Sequence, residues 1–323
     1  MAFKEKALSV FRKIKGEGRL WWFKENVEDP KMIMVDVIIS LLPACIFGCI
    51  LFDFNAVLIL LTSCISAVGA EFLWNLIFKK QQTVKDLSAL VTGLLFAMCM
   101  PDKTPLWLVL LGSVFAIIVV KQVLGGIGYN LTNPAVTSVV LLTFIFPNIM
   151  TDFHSPFSSS NVALQNISFA DLFFGLHSGG IGETSSFLLI VGGVYLIIRK
   201  IISPIVPLTF IGVNALICLI FSQNVLVSVF GGSLILGAFF MANDYITTPT
   251  TNSGKVIFGI GCGVLTFVIS VIFTGFDGVL ITILIMNLIL AVYNRLNLGK
   301  YKEKAIEKII EIFKNAFQKI KKK

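Results

Sequence analysis

Charge is what this chain has least of. Only 14% of its 323 residues are charged and 56% are hydrophobic, with a mean hydropathy of +0.90. A soluble domain carries about a quarter charged residues, so a soluble fold is excluded. Histidine is scarcer still. His154 and His177 stand alone, and with Asp152, Asp171 and Glu183 they match no metal-ligand spacing, so a solvated polar loop and no metal site are expected there. Cysteine is limited to Cys45, Cys49, Cys64, Cys99, Cys218 and Cys262, all in or at the ends of apolar runs. That placement excludes a disulfide framework. Cys45 and Cys49 lie four apart on one helix face, a spacing open to a metal or cluster, but buried apolar thiols are the expectation for all six. No apolar run precedes Met32, so a cleaved leader is not expected either.

Long apolar runs are what the chain has in abundance. A bilayer core is crossed by about 20 apolar residues at 1.5 Å each. Runs near 32–52, 56–78, 86–100, 105–124, 132–147, 183–198, 204–222, 225–242, 256–274 and 278–294 read as ten spans. Several are short, which points to thinned or broken helices. The net charge of +8 raises nucleic acid as a partner, and its distribution removes it. Of the 26 lysines and arginines, all but Lys103 fall in alternate connections: 1–31, 79–85, Lys121, Arg199–Lys200, Lys255 and the segment from Arg295 onward. The intervening connections at 53–55, 148–182, 222–224 and 275–278 carry none. This is the positive-inside pattern. It places the chain in the cell (cytoplasmic) membrane as a multi-pass protein, with both termini cytoplasmic.

The expected organisation follows from these spans. Residues 1–31 form a basic cytoplasmic arm with Trp21 and Trp22 adjacent, suited to the membrane interface. Residues 32–147 and 183–295 are two membrane units, and 148–182 is a long extracytoplasmic loop. Residues 296–323 place Ile306, Ile309, Ile310, Phe313, Phe317 and Ile320 at helical spacing between lysines, an amphipathic tail for an anionic leaflet or for a docking partner. TGLLFAMCMPDKTP (92–105) resembles LGAFFMANDYITTP (236–249): glycine, small apolar residues, Phe, Met, an acid and Thr-Pro. With five spans in each half, the repeats are inverted, an architecture that puts a central site between the halves. The expected fold is therefore all-α, polytopic, with about ten helices in two inverted five-helix repeats.

Polar chemistry is confined to a few places. GGIGYNLTNPA (125–135) is no dinucleotide fingerprint, since GxGxxG is absent and no strand precedes it. Gly125, Gly126 and Gly128 let the backbone turn tightly or approach a ligand. Asn130 and Asn133 offer amide donors and acceptors. Pro134 suits a first helical turn capped by Asn133 or Thr132, and such a start aims free N–H groups outward; a plain capped turn between helices is the alternative. MANDYITTPTT (241–251) sets Asp244 beside Asn243 and four threonines, Thr247 among them, oxygen donors suited to Na⁺ or a proton relay or to an ordinary loop end. Glu71 lies inside the second span, about 10 Å from its end. A buried acid there is an ion-pathway or ion-pairing candidate, with Lys121 or Lys79 as partner.

The run from Ile33 to Lys121, then GGIGYNLTNPAV, SGGIGETSSFLLIVGGVYLIIRK and FFMANDYITTPTTNSGKVIFGIGCG, resembles the NqrB/RnfD family, on its Rnf side, over about residues 20–295. The resemblance implies a ten-helix, urea-transporter-like subunit of a six-subunit Rnf-type complex. Such a complex moves electrons between ferredoxin and NAD⁺ while exporting Na⁺ or H⁺. It also implies a flavin, FMN with riboflavin as the alternative, usually joined through phosphate to a loop threonine. Here SSSNVAL places Val162 at that threonine. Valine has no hydroxyl, which leaves Ser158, Ser159, Ser160 or Thr184 for attachment, or a flavin held without a covalent bond by Gly125, Gly126, Gly128, Asn130 and Asn133. No residue is expected to act catalytically on its own. A solute channel on the same fold and a flavin-less structural subunit are the competing functions.

Overall fold

The structure, a computed structural model, describes residues 30–155, 168–244, 246–273 and 277–294. The basic arm, Ser158, Ser159, Ser160 and Val162, and the amphipathic tail lie outside the described residues. Among the described residues every regular element is a helix. The first half runs α1 (Pro30–Leu51), α2 (Asp53–Ile77), α3 (Ser88–Met98), α4 (Leu106–Phe115, continued as a π-helix over Ala116–Gln122) and α5 (Pro134–Ile145). Two short helices follow, α6 (Pro147–Met150) and α7 (Phe169–Phe174). The second half runs α8 (Ser186–Ile198), α9 (Ile205–Ile220), α10 (Val225–Phe230), α11 (Leu234–Leu236, continued as a π-helix over Gly237–Met241) and α12 (Asn252–Ile272), and closes on α13 (Gly278–Asn294).

Helix lies in all ten stretches expected from the sequence. Three of these helices, α1, α2 and α12, are each long and apolar enough to cross a membrane alone. The stretch 225–242 is the broken one: α10 ends at Gly231, and the chain restarts as α11 and its π-helical continuation. π-helical turns are rare and frequently lie at functional sites. Both π segments here end at a polar turn, α4 at GGIGYNLTNPA and α11 at MANDYITTPTT.

The distribution of side chains is the reverse of a soluble protein. Ile198 is 73% exposed, Leu219 71% and Ile50 70%, whereas Ser63, Glu71, Ser186 and Thr282 are completely buried. Apolar side chains outside and polar ones inside is the arrangement a hydrocarbon solvent demands. Helix pairs close on small residues, because a bilayer supplies no hydrophobic drive between helices and backbones must approach closely to gain packing. Gly259 and Gly263 of α12, a GxxxG pair, face Thr209 and Val213 of α9, where any Cβ would overlap those side chains.

Chain reversals at the helix ends are tight. α2, α8 and α9 all end with a left-handed non-glycine residue: Lys79, Lys200 and Ser222. In each, the next N–H returns to the last helical turn, Lys80 to Asn75, Ile201 to Leu196 and Gln223 to Cys218, at 2.8–2.9 Å. Each left-handed non-glycine costs about 1–2 kcal/mol, which the recovered carbonyl hydrogen bond offsets.

Candidate functional site

At the lysine-bearing ends of the helices the two polar turns meet. Asn133 caps α5, its Oδ1 accepting from the N–H of Ala135 (3.0 Å) and Val136 (3.3 Å). The Asn133 Nδ2 donates to the Met241 carbonyl (3.3 Å), where the second π-helix ends. Asn287, in the middle of α13, completes the latch. Its Oδ1 accepts from the Asn133 backbone N–H (3.1 Å) and its Nδ2 donates to the Thr247 carbonyl (3.2 Å). GGIGYNLTNPA and MANDYITTPTT, more than 100 residues apart in sequence, are thus one structure held by two buried asparagines.

Asp244 sits in that structure. Its Oδ2 accepts from the Thr247 hydroxyl (3.4 Å) and its Oδ1 from the Ile246 N–H (3.5 Å). The Thr248 hydroxyl donates to the carbonyls of Ala242 and Asp244 (2.7 and 2.6 Å). Both contacts to the carboxylate are long, so it is weakly held. Part of the residue reaches the surface, yet the carboxyl group itself is enclosed, and desolvation raises its pKa to about 6 against the opposing bonds from Ile246 and Thr247. An enclosed carboxylate with weak protein donors favours a cation or a proton in front of it.

The glycine-rich turn contributes differently from what its sequence suggests. Gly125, Gly126 and Gly128 all adopt positive φ, +124°, +88° and +86°, so the permissive conformation is used. A Cβ at Gly128 would meet open space. Asn130 Oδ1 is buried and has no hydrogen-bond partner, the kind of orphaned acceptor a ligand would satisfy. Asn133 is engaged in the latch through its backbone N–H, its Oδ1 and one bond from its Nδ2. Thr184 is buried, 1% exposed. Ser158, Ser159 and Ser160 lie outside the described residues.

Glu71 is paired, and with Lys121 rather than Lys79. The Lys121 Nζ is 3.1 Å from Oε2 and also donates to the Ser88 hydroxyl (2.6 Å). Gln122 Nε2 (2.8 Å) and the Thr83 hydroxyl (2.6 Å) both donate to Oε1, and Asn75 donates to Thr83. Lys121 and Gln122 reach Glu71 from the π-helical end of α4. Glu71 is 0% and Lys121 1% exposed, so this is a closed, neutral network with every strong group satisfied.

At the opposite ends, the loop before α8 lies along the turn after α3. Ile181 N–H donates to the Met100 carbonyl (3.0 Å) and Gly182 N–H to the Met98 carbonyl (2.8 Å). The solvated loop expected for both histidines is corrected for His177. His177 is completely buried, with Nδ1 2.9 Å from the Ser178 carbonyl and Nε2 3.1 Å from the Thr184 carbonyl. The reason is that 178–185 folds inward to cap α8 rather than outward into water. His154 lies 3.2 Å from Asp102 and 3.8 Å from Asp152 in the partly exposed turn. Among the described residues no group of three or more His, Cys, Asp or Glu side chains is arranged to hold a metal ion, and the six cysteines are free.

An all-helical bundle with an apolar exterior, buried ionisable groups and a polar latch at the end of a π-helix is the arrangement of an integral membrane protein. The chain belongs to the NQR2, RnfD, RnfE family, whose model matches residues 23–299. It is 38% identical over 271 residues to the D subunit of the Na⁺-translocating ferredoxin:NAD⁺ oxidoreductase complex of Acetobacterium woodii, covering 79% of this chain and 85% of that protein. It is 35% identical to the D subunit of the proton-translocating ferredoxin:NAD⁺ oxidoreductase complex of Clostridium ljungdahlii, covering 80% and 88%. It is 32% identical to the D subunit of the ion-translocating oxidoreductase complex of Rhodobacter capsulatus, covering 73% and 80%.

Proposed function

We infer that this chain is the D-type membrane subunit of an ion-translocating electron-transport complex of the ferredoxin:NAD⁺ oxidoreductase kind, working beside the complex's other subunits. The observation that carries this is the Asn133–Asn287 latch, which ties the start of α5, at the end of the glycine-rich turn, to the end of the second π-helix beside a weakly held Asp244 inside an otherwise apolar bundle. A static scaffold has no need of an enclosed, underbonded carboxylate at a helix break. In this reading Asp244 and the Thr247 hydroxyl take the cation from the cytoplasmic side. Glu71 acts as the charged anchor of the first half, and its part in the ion pathway is to hold the π-helical end of α4 in register.

The arrangement of the halves supports two inverted repeats, 32–147 and 183–295. In each, a short buried helix (α3, or α11 with its π-helix) ends at the Met-acid-Thr-Pro stretch and a longer helix follows. In each, the last helix starts on a side-chain cap, Asn133 for α5 and Asp277 for α13. Charge asymmetry supports both termini inside and 148–182 outside. A cysteine placed at Ser159 is therefore expected to react with an impermeant reagent in intact cells; reaction only after permeabilisation would reverse the orientation.

For flavin, what supports a non-covalent site is Asn130 with its orphaned Oδ1 and the open backbone at Gly128. These residues fit the polar edge of an isoalloxazine or the hydroxyls of a ribityl chain. FMN or riboflavin, when bound, supplies one- and two-electron transfer. Asn130 would then orient the ring, and the latch at Asn133 would fix the loop that carries it. Valine at 162 supports the absence of a threonine phosphoester. Flavin fluorescence is expected to leave the chain on denaturing electrophoresis. A fluorescent band that stays with the chain and maps to Ser158–Ser160 or Thr184 would overturn this.

A further inference from the structure

The end of the bundle away from Asp244 holds two acids that the entry site does not use. Glu183, just before α8, is 4% exposed, and its Oε1 has no hydrogen-bond partner. Gly180 folds over the carboxyl so closely that a Cβ there would lie 2.8 Å from Glu183 Oε2 and 2.8 Å from the Met98 carbonyl. The Cys99 thiol, in the turn after α3, faces the same carboxyl. Asp277 caps α13 through Oδ1, accepting from Val279 N–H (2.9 Å) and Leu280 N–H (3.5 Å), and its charge acts on Glu183. The Ser233 hydroxyl lies beside Asp277, 2% exposed, without completing a well-aligned hydrogen bond. A cleft of about 10 Å³ opens at Asp277 between Val139, Thr143 and Leu280, room for a single water.

Among the described residues no lysine, arginine or histidine is ion-paired with either acid. The nearby His177 is committed to the carbonyls of Ser178 and Thr184. Two carboxylates in a low-dielectric site with no cationic side chain do not both stay ionised. Burial raises Asp277, opposed by Ser233 and the α13 amides. The pair therefore carries one positive charge more than its ionised form.

We propose that Glu183 and Asp277, with the Ser233 hydroxyl, form the release site for the transported cation, holding one proton or one Na⁺ that leaves through the water-sized cleft beside Asp277. One cation enters from the bundle interior and one departs, so the pair alternates between net charges of −1 and −2 and no other group changes. This rests on the reading of the chain as a cation-translocating subunit.

Infrared difference spectra of the purified complex, together with transport by the same complex in liposomes, test it. The wild-type complex is expected to show a protonated-carboxyl band that disappears as pH is raised, is lost in Glu183→Gln and shifts in Asp277→Asn. If Na⁺ is the cargo, adding Na⁺ at fixed pH removes the band; if the proton is the cargo, Na⁺ leaves it unchanged. In transport, each variant is expected to slow coupled turnover about tenfold or more, the cost of one lost charge-assisted contact. The half-saturating cation concentration on the entry side, set at Asp244, stays as in wild type. A wild-type spectrum with no carboxyl band sensitive to pH or Na⁺ overturns the proposal even if the variants fail to assemble. So does normal transport by both variants in a complex that pumps. A wild-type complex that transfers electrons and moves no cation removes the underlying functional reading as well.

Discussion

Lys121→Met is expected to prevent stable incorporation of this chain into its complex. The substitution keeps the volume of the side-chain stem and removes the charge, leaving the Glu71 carboxylate at zero exposure with only the neutral donors Gln122 and Thr83. Breaking one partner of a buried pair costs about 3–5 kcal/mol, a large part of the roughly 5–15 kcal/mol that stabilises a typical protein. The double variant Glu71→Gln/Lys121→Met removes both charges and is expected to recover most of the loss, because no uncompensated charge remains. Yield of the chain in detergent-purified complex, and the temperature at which that complex aggregates, measure both. Equal yields for single and double variants would show that the pair is not what holds α2 to the π-helical end of α4.

Asp244→Asn is expected to leave assembly intact and lower cation-coupled electron transfer at least about tenfold, since a hydrogen-bonding charge is lost while the turn's geometry is kept. The wild-type pH dependence carries the sharper test. The folded pKa is raised to about 6, so the carboxylate that binds Na⁺ is present above that pH and is lost as pH falls through it. The half-saturating Na⁺ concentration is therefore expected to rise below about pH 6, and this dependence is expected to be absent in Asp244→Asn. If the proton is the cargo the sign reverses, with loading at Asp244 failing as pH rises through about 6. The two relatives named for Na⁺ and for protons make both signs relevant.

How much of this was legible in sequence depends on the range of the interaction. Helix positions follow from apolar run length, but the break at 225–242 does not, because that run is 18 residues long and only the glycine pair Gly231–Gly232 interrupts it. The cap at Asn133 was readable from Asn-Pro, a local signature. The partner of Glu71 was narrowed to two lysines, and only packing decides between them: α4 lies against α2, while Lys79 turns outward at the helix end. The latch was not readable. Asn287 sits in LIMNLIL as one polar residue in an apolar helix, a signal that a partner exists but not which one. His177 looked solvated because its neighbours Ser178, Gly179 and Gly180 are loop residues, and nothing local shows that this loop folds inward. Glu183 was weighed only beside the histidines, and its link to Asp277, 94 residues away, depends on the loop clamped to Met98–Met100, which nothing local shows.

The central claim is that this chain couples cation movement to electron transfer, and inverted membrane vesicles test it most directly. Vesicles carrying the complete complex, supplied with reduced ferredoxin and NAD⁺, are expected to accumulate radiolabelled sodium or to acidify. The matching ionophore should collapse the gradient while electron transfer continues, and vesicles lacking only this chain should show neither transfer nor accumulation. Unchanged electron transfer and cation accumulation in the vesicles that lack it would contradict the account.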